Sequence, residues 1–132
     1  MVPAVNLQSR KLVGPRKRGR KGWLAEVRVP EKLRGRFKDA DRPNIRLSCG
    51  SYRSARAAAQ ARDLVIVFLH AGSPDVDLRE LLNFPEDAIR LTQLVNLLIG
   101  ELPTCSEVKS VAQMVGRVVE QEEADRTHRD GP

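Results

Sequence analysis

The segment Trp23-Leu24-Ala25-Glu26-Val27-Arg28-Val29 sets the architecture of this chain, because its side chains alternate in character with a period of two. Successive side chains of a β-strand point to opposite faces, so this period predicts a strand with two unlike faces. The apolar face is formed by Trp23, Ala25, Val27 and Val29. The opposite face carries Leu24, Glu26 and Arg28. We therefore expect one side of the strand to cover a core and the other to meet solvent or a partner.

A second strand of the same design is predicted at residues 45–50, IRLSCG. Its apolar face would hold Ile45, Leu47 and Cys49, with Arg46 and Ser48 on the opposite face. A short edge strand at residues 12–16 can precede both, since Pro15 is tolerated only at an edge or a bulge. Residues 30–44, rich in charge, Pro and Gly, would form a long hairpin connection of the kind that is often functional or disordered.

An alanine-rich helix follows the second strand, with Ser54 as its N-cap and Gly72 as its stop. Its apolar positions 58, 61, 65 and 68 recur at helical spacing. The small side chains of its first half allow a helix to lie close on the apolar face of the strands. From Leu64 to Leu69 the helix is apolar on all sides, so it needs cover from a second direction as well.

Two further helices are predicted in the C-terminal part, each with an apolar stripe. The stripes can either cover the first helix or form a surface that binds a protein partner. One begins around Asn83–Asp87, with acidic residues in its first turn. Its stripe consists of Leu91, Leu94, Val95 and Leu98. The other begins at Thr104, which forms a capping-box pattern with Glu107. Its stripe is predicted to be Val108, Val111, Val115 and Val118, and the helix is expected to end near Glu123.

The charge of the chain is divided unequally along its length. Residues 1–63 carry 17 basic and 5 acidic side chains, a net charge of +12, whereas residues 64–132 carry 6 basic and 12 acidic side chains, a net charge of −6. The basic half contains both strands, and such a concentration is typical of proteins that bind a phosphate backbone. A solubilising, solvated surface is the other explanation of the same charges.

Several classes of function are disfavoured by the composition. The chain has 2 Cys and 2 His, and they lie too far apart for a zinc site, so no metal is expected. The longest apolar run, Leu64–Leu69, is too short to span a bilayer, and the N-terminus has no apolar signal segment. No set of residues typical of a catalytic site is visible. We expect no enzyme activity, no cofactor, no small-molecule substrate and no membrane partner.

Five ordered blocks of the chain carry a resemblance to a known family. They are Gly14-x-Arg16-x-Arg18, Trp23-Leu24-Ala25-Glu26-Val27-Arg28, Arg46-x-x-x-Gly50-Ser51-Tyr52, Ala55-x-x-Ala58-Ala59-x-Ala61-x-Asp63 and Leu82-Asn83-Phe84-Pro85. Together they make residues 12–85 similar to the plant ethylene-response-factor DNA-binding domain, also called the APETALA-two domain. The resemblance implies an α+β fold in which a three-stranded antiparallel sheet packs on one alanine-rich helix, here followed by two additional C-terminal helices.

The resemblance also implies a site and a partner. In this family the sheet lies in the major groove of double-stranded DNA and reads G·C-rich sites, and the positions that contact DNA would be Arg16, Arg18, Arg20, Glu26, Arg28 and Arg46. A guanidinium group suits such a site, because it can donate two hydrogen bonds to one guanine. The expected function is transcriptional regulation in the nucleus, and the basic run at residues 16–21 can act as a nuclear-import signal.

The chain departs from the family at three aromatic positions, where it has Arg20, Ser48 and Arg62. These departures keep a second interpretation open, in which the chain is a protein-interaction adaptor with a degenerate DNA-binding face and a protein partner at its C-terminal helices. The expected organisation comprises four parts. They are a flexible basic tail at residues 1–11, the DNA-binding domain at 12–85 with its long loop at 30–44, a helical extension at 86–124 and a polar tail at 125–132.

Overall fold

The computed structural model describes residues 16–17, 22–39, 45–71 and 76–130 and has a mixed α+β architecture. Its strands are β1 (Arg16–Lys17), β2 (Trp23–Val29) and β3 (Ile45–Tyr52). Its α-helices are α1 (Ala55–His70), α2 (Leu78–Leu81), α3 (Ala88–Leu98) and α4 (Cys105–Asp130). One face of the sheet is covered by α1 and α4, and the hydrophobic core lies between these layers.

The two long strands, β2 and β3, form an antiparallel sheet, as their alternation predicts. The very short β1 pairs with the beginning of β2, with Arg16 opposite Leu24 and Lys17 opposite Trp23. A full third strand is not confirmed, since only these two residues pair and the rest of the predicted strand at 12–16 lies outside the described residues. The mixed α+β fold and the two long strands, in contrast, are as the sequence predicted.

A β-bulge at Gly50 changes which residues of β3 face the core. Leu24 pairs with Ser51 and Glu26 pairs with Ser48, so two residues of β3 lie opposite Ala25 alone. Gly50 has φ 98°, a left-handed conformation that favours glycine. The extra residue reverses the alternation, and Tyr52 is buried on the same side as Cys49 although the two are three positions apart. Strict alternation would have placed Tyr52 on the opposite face.

Helix α1 forms where it was predicted. The Ser54 hydroxyl accepts a hydrogen bond from the Ala57 N–H at 3.1 Å, which is the N-cap interaction. The side chains of Ala57, Ala58 and Ala61 are fully buried, so the helix lies close on the sheet. Every residue from Leu64 to Leu69 is buried, which confirms that this part of the helix is covered on all sides.

Helix α4 supplies much of that cover, because it packs against both α1 and β3. Its buried residues are Val108, Ala112, Val115, Gly116 and Val119. The predicted stripe was wrong at its end, since Val118 is 44% exposed and its neighbour Val119 is buried. Thr104 accepts a hydrogen bond from the Glu107 N–H at 3.2 Å, as the capping-box pattern predicted.

The end of α4 also differs from the prediction. The helix continues past Glu123 to Asp130, through residues that had been assigned to a polar tail. Seven of the residues 120–130 are Glu, Gln, Ala or Arg, and none is Gly or Pro. Glu, Gln, Ala and Arg favour a helix even where no apolar stripe is present, and the next glycine along the chain is Gly131.

The connection between the long strands is structured over the part that is described. Residues Glu31–Arg36 form a 3₁₀ helix, after which the Phe37 ring packs on Phe68 with 5.3 Å between ring centroids. The Lys38 N–H donates to the Pro103 carbonyl at 2.8 Å. The Asp39 carboxylate accepts from the Cys105 N–H at 2.9 Å, which lowers the pKa of Asp39 and caps α4. The loop thus ties β2 to α1 and α4, which its composition did not indicate.

A buried carboxylate fastens α1 to the segment that precedes α3. Asp63 is fully buried and accepts hydrogen bonds from the Asn83 N–H at 3.0 Å, the Asn83 side-chain amide at 3.1 Å and the Phe84 N–H at 2.9 Å. Burial raises the pKa of Asp63 to about 6, against the opposing effect of these donors. These three bonds connect α1 to the segment Asn83-Phe84 that precedes α3.

Among the helices of the described residues, none combines the length and the hydropathy that a membrane-spanning helix requires.

Candidate nucleic-acid interface

The face of the sheet that points away from α1 and α4 is polar and open. Arg28 on β2 and Arg46 on β3 are exposed, Ser48 is exposed, and Glu26 is half-buried. These four residues alternate with the buried positions Val27, Val29 and Leu47. The two strands therefore separate a core face from an arginine-bearing face, which we call the open face and define by Glu26, Arg28, Arg46 and Ser48.

The two arginines of the open face lie directly opposite each other in the antiparallel register, and Glu26 lies opposite Ser48. Cross-strand neighbours have Cβ atoms about 4.5 to 5.5 Å apart, a distance at which like charges repel. Within the described part of the chain, neither guanidinium group has a hydrogen bond or an ion pair. The arrangement concentrates positive charge at one place and leaves the donors of both groups available to an anionic or acceptor-rich ligand.

The two arginines are held on a rigid base. Both strands bury their other face, and the residues on either side of the arginines, Val27, Val29 and Leu47, are at most 3% exposed. The bulge at Gly50 lies beyond Ser48, so the register from Val29 to Glu26 stays regular. A ligand that binds the open face would thus meet preorganised strands.

Not every predicted site residue can be located. The backbone of Arg16 is placed next to Leu24 in β1, whereas Arg18 and Arg20 lie outside the described residues. Of the six predicted contacts, the structure brings Glu26, Arg28 and Arg46 together on one face. Trp23 packs partly buried against the core at the end of the sheet, in agreement with its predicted core role. Leu24 is only 5% exposed, although it belongs to the same side of β2 as Arg28.

The thiol of Cys49 and the hydroxyl of Tyr52 lie in the core. Burial raises the pKa of the Cys49 thiol to about 12, so this group stays protonated near neutral pH. Burial likewise raises the pKa of Tyr52, whose hydroxyl donates to the Cys49 carbonyl. In the ranges that the structure describes, no three His, Cys, Asp or Glu side chains come together as metal ligands.

Sequence reasoning missed a polar network at the junction of β3, α1 and α4. The Arg117 guanidinium lies 4.8 Å from the centre of the Tyr52 ring and bonds to Glu120 at 2.6 Å. Glu120 in turn accepts from the Arg53 N–H at 2.7 Å. The only sequence signal was Gly50, since a glycine inside an alternating strand suggests a bulge.

Comparison of this chain with models of known families, with curated proteins and with solved structures found no match.

Proposed function

We propose that this chain binds double-stranded DNA through the open face of its sheet and regulates transcription in the nucleus. The observation that carries this proposal is the exposed pair Arg28 and Arg46, directly opposite each other on the side of the sheet away from the helices. In this proposal the sheet is completed by a third strand that includes β1, which would bring Arg16 and Arg18 beside the same face.

The dimensions of the sheet suit the major groove. Neighbouring strands lie about 4.7 to 4.9 Å apart. A sheet of two or three strands is therefore narrow enough for a groove about 12 Å wide. Helices α1 and α4 pack on the other side of the sheet, which leaves the open face accessible to a groove of DNA.

The chemistry of the open face suits G·C base pairs. Each arginine can donate two hydrogen bonds to the O6 and N7 atoms of a guanine, and the Glu26 carboxylate can accept from the amino group of a cytosine. Ser48 can bond to either base, since its hydroxyl both donates and accepts. Arg16, Arg18 and Arg20 would add phosphate contacts that position the sheet without reading sequence. The basic run at residues 16–21 would also direct nuclear import.

A second function, an adaptor for another protein, is favoured by one observation. Helix α3 leaves Ile89 and Leu97 exposed at 76% and 79%, far more than a core helix needs. The position of α4 argues against it as the partner surface, because its apolar stripe is used to cover α1 and β3. An adaptor would thus use α3, and in that case the open face of the sheet would not recognise DNA.

The test begins with selection of a preferred site from random duplex DNA, followed by binding of the Arg28→Ala and Arg46→Ala variants to that site and to a scrambled duplex. Loss of a base contact should cost about 1 to 3 kcal/mol on the preferred site and relax discrimination at one base pair. Loss of a phosphate contact would weaken both duplexes equally. The control is Arg79→Ala, which removes another exposed arginine, here ion-paired with Asp77, from α2 on another element of the fold.

Salt dependence gives an independent measurement on the parent chain. If about five cations meet phosphates, the logarithm of the binding constant should fall with the logarithm of salt concentration with a slope of about −4 to −5. If both arginine variants bind the specific and the scrambled duplex as the parent does, the open face does not recognise DNA. The adaptor function would then be the better explanation.

A further inference from the structure

The outer edge of β3 is a place where another strand could attach. One edge of β3 pairs with β2, and no described strand pairs with its other edge. An unpaired edge presents backbone N–H and C=O groups that can pair with an extended segment of another chain. Folded proteins usually block such edges with charged side chains, bulges or covering helices.

Helix α4 occupies backbone groups at this edge with its own side chains. Arg117 donates to the Ser51 carbonyl at 3.1 Å, and Glu120 accepts from the Arg53 N–H at 2.7 Å. Ser51 lies near the end of β3 and Arg53 directly follows it, so two backbone groups at this end of the edge are satisfied by side chains of α4.

The two residues from α4 support each other in this position. Arg117 and Glu120 are one helical turn apart and bond to each other at 2.6 Å. Arg117 also lies over the Tyr52 ring, which fixes its direction. Burial alone would raise the pKa of Glu120, but the Arg53 N–H and the Arg117 guanidinium lower it overall, so the acceptor stays ionised. One turn later, Glu123 accepts from the Ser54 hydroxyl at 2.6 Å, which holds α4 at the same corner.

We propose that Arg117 and Glu120 keep the C-terminal end of the outer edge of β3 from pairing with β3 of a second copy of this chain. The partner that would pair with this edge is a second copy of the chain. Two identical edges can pair antiparallel about a two-fold axis, so that each satisfies the backbone N–H and C=O groups of the other. The bulge at Gly50 adds to the block by interrupting the regular register of β3. The role of the two residues is independent of DNA binding, since they act on the edge of the sheet and not on its open face.

The test compares two double variants of the full chain that carry the same change in charge. Arg117→Ala with Glu120→Ala removes the two edge contacts, whereas Glu122→Ala with Arg126→Ala removes one exposed acid and one exposed base from the same helix. Sedimentation equilibrium over a concentration series gives the self-association constant of each. The edge variant should associate at least about tenfold more tightly than the parent and the control, a difference of about 1.4 kcal/mol.

Hydrogen exchange locates the association. The Arg53 amide should exchange faster than in the parent when the edge variant is dilute, and it should regain protection as the variant associates. Equal self-association in all three proteins would overturn the proposal, and so would association of the edge variant without protection at β3. If the double variant is not folded by circular dichroism, the single variant Arg117→Ala, which frees the Ser51 carbonyl and keeps the Glu120 bond to Arg53, takes its place. Its self-association and the protection of the β3 amides on association then decide.

Discussion

The two faces of the β2–β3 sheet are built from the same strands and have opposite relations to the rest of the molecule. On the core face, Val27, Val29 and Leu47 are buried beneath α1 and α4. On the open face, Arg28 and Arg46 oppose each other with no described partner. The core face thus holds the fold together, whereas the open face holds two like charges close together, an arrangement that contributes little to stability.

This contrast predicts that stability and the proposed DNA binding can be changed separately within a single strand. Neighbouring residues such as Val27 and Arg28 differ by one position in sequence and by a whole layer in space. Changes on the helix side should alter the free energy of unfolding, and changes on the open side should alter binding alone.

The largest effect is expected when the C-terminal cover of the core is removed. A fragment of residues 1–85 lacks α3 and α4 and with them the buried side chains of Leu91, Val95, Val108, Val115 and Val119. Each fully buried side chain of this kind contributes about 1.5 to 3 kcal/mol. Their sum approaches the whole stability of a small domain, about 5 to 15 kcal/mol. The fragment should therefore unfold or aggregate, as measured by thermal melting and light scattering.

A chain that ends after Asp125 is the control, because it removes only the last residues of α4 and should melt like the parent. If the 1–85 fragment also melts like the parent, α3 and α4 do not complete the core. Their apolar residues would then be available to a protein partner, and the adaptor function would gain support.

The buried carboxylate of Asp63 should make the stability of the core depend on pH in an unusual direction. Its folded pKa of about 6 lies above the ordinary value near 3.9, so the folded state binds the proton more tightly than the unfolded state. The stability due to this group is fully present below about pH 4 and is lost as the pH rises through 6. The loss amounts to about 2 to 3 kcal/mol, since one pKa unit corresponds to 1.36 kcal/mol.

Urea titrations of the parent and of Asp63→Asn at several pH values measure this effect, because the other carboxyl groups cancel in the difference. The stability of the parent relative to the variant should decline between pH 4 and pH 7. A difference that is constant, or that grows with pH, would show that the three hydrogen bonds to Asp63 outweigh its burial.

The contact between α4 and the core face is tight enough for a single methyl group to disturb it. A Cβ atom at Gly116 would lie 2.3 Å from the Tyr52 ring, which is buried and held by its hydrogen bond to the Cys49 carbonyl. Gly116→Ala should therefore destabilise the protein by about 1 to 3 kcal/mol, the usual cost of overpacking. Gly100→Ala is the matched control, since nothing lies within 4 Å of a Cβ atom there. Equal denaturation midpoints for the two variants would mean that α4 can move away from β3 at no cost.

The smallest effect on stability is expected on the open face. Arg28→Ala and Arg46→Ala should each change the free energy of unfolding by at most about 0.5 kcal/mol, because neither side chain is in the core. Removing one of two opposed positive charges can even be slightly stabilising. Val27→Ala on the same strand should cost about 1.5 to 3 kcal/mol, in contrast to its neighbour. Chemical denaturation of the three variants measures this difference. If either arginine variant lowers the free energy of unfolding as much as Val27→Ala does, the open face contributes to the stability of the fold.

Local pattern was enough to predict the elements that depend on near neighbours in the chain. The period of two placed β2 and β3, helical spacing and the Ser54 cap placed α1, and the separation of Arg28 and Arg46 from the core followed from the same alternation. These features are encoded locally because strand and helix geometry repeat over two and 3.6 residues. The capped beginning of α4 at Thr104 was predictable for the same reason.

Other features arise only when distant segments meet. The pairing of Arg28 with Arg46 depends on the register between two strands that a long connection separates, and alternation alone does not give a register. The burial of Val119 in place of Val118 depends on how α4 packs on Tyr52 at Gly116. A Cβ atom at Gly50 would lie 3.0 Å from the Tyr52 hydroxyl, a contact that the sequence alone does not reveal. The bonds from Arg117 and Glu120 to the edge of β3 span more than 60 positions in sequence. Such contacts have no local signature, because they are set by packing between surfaces and not by the spacing of residues along the chain.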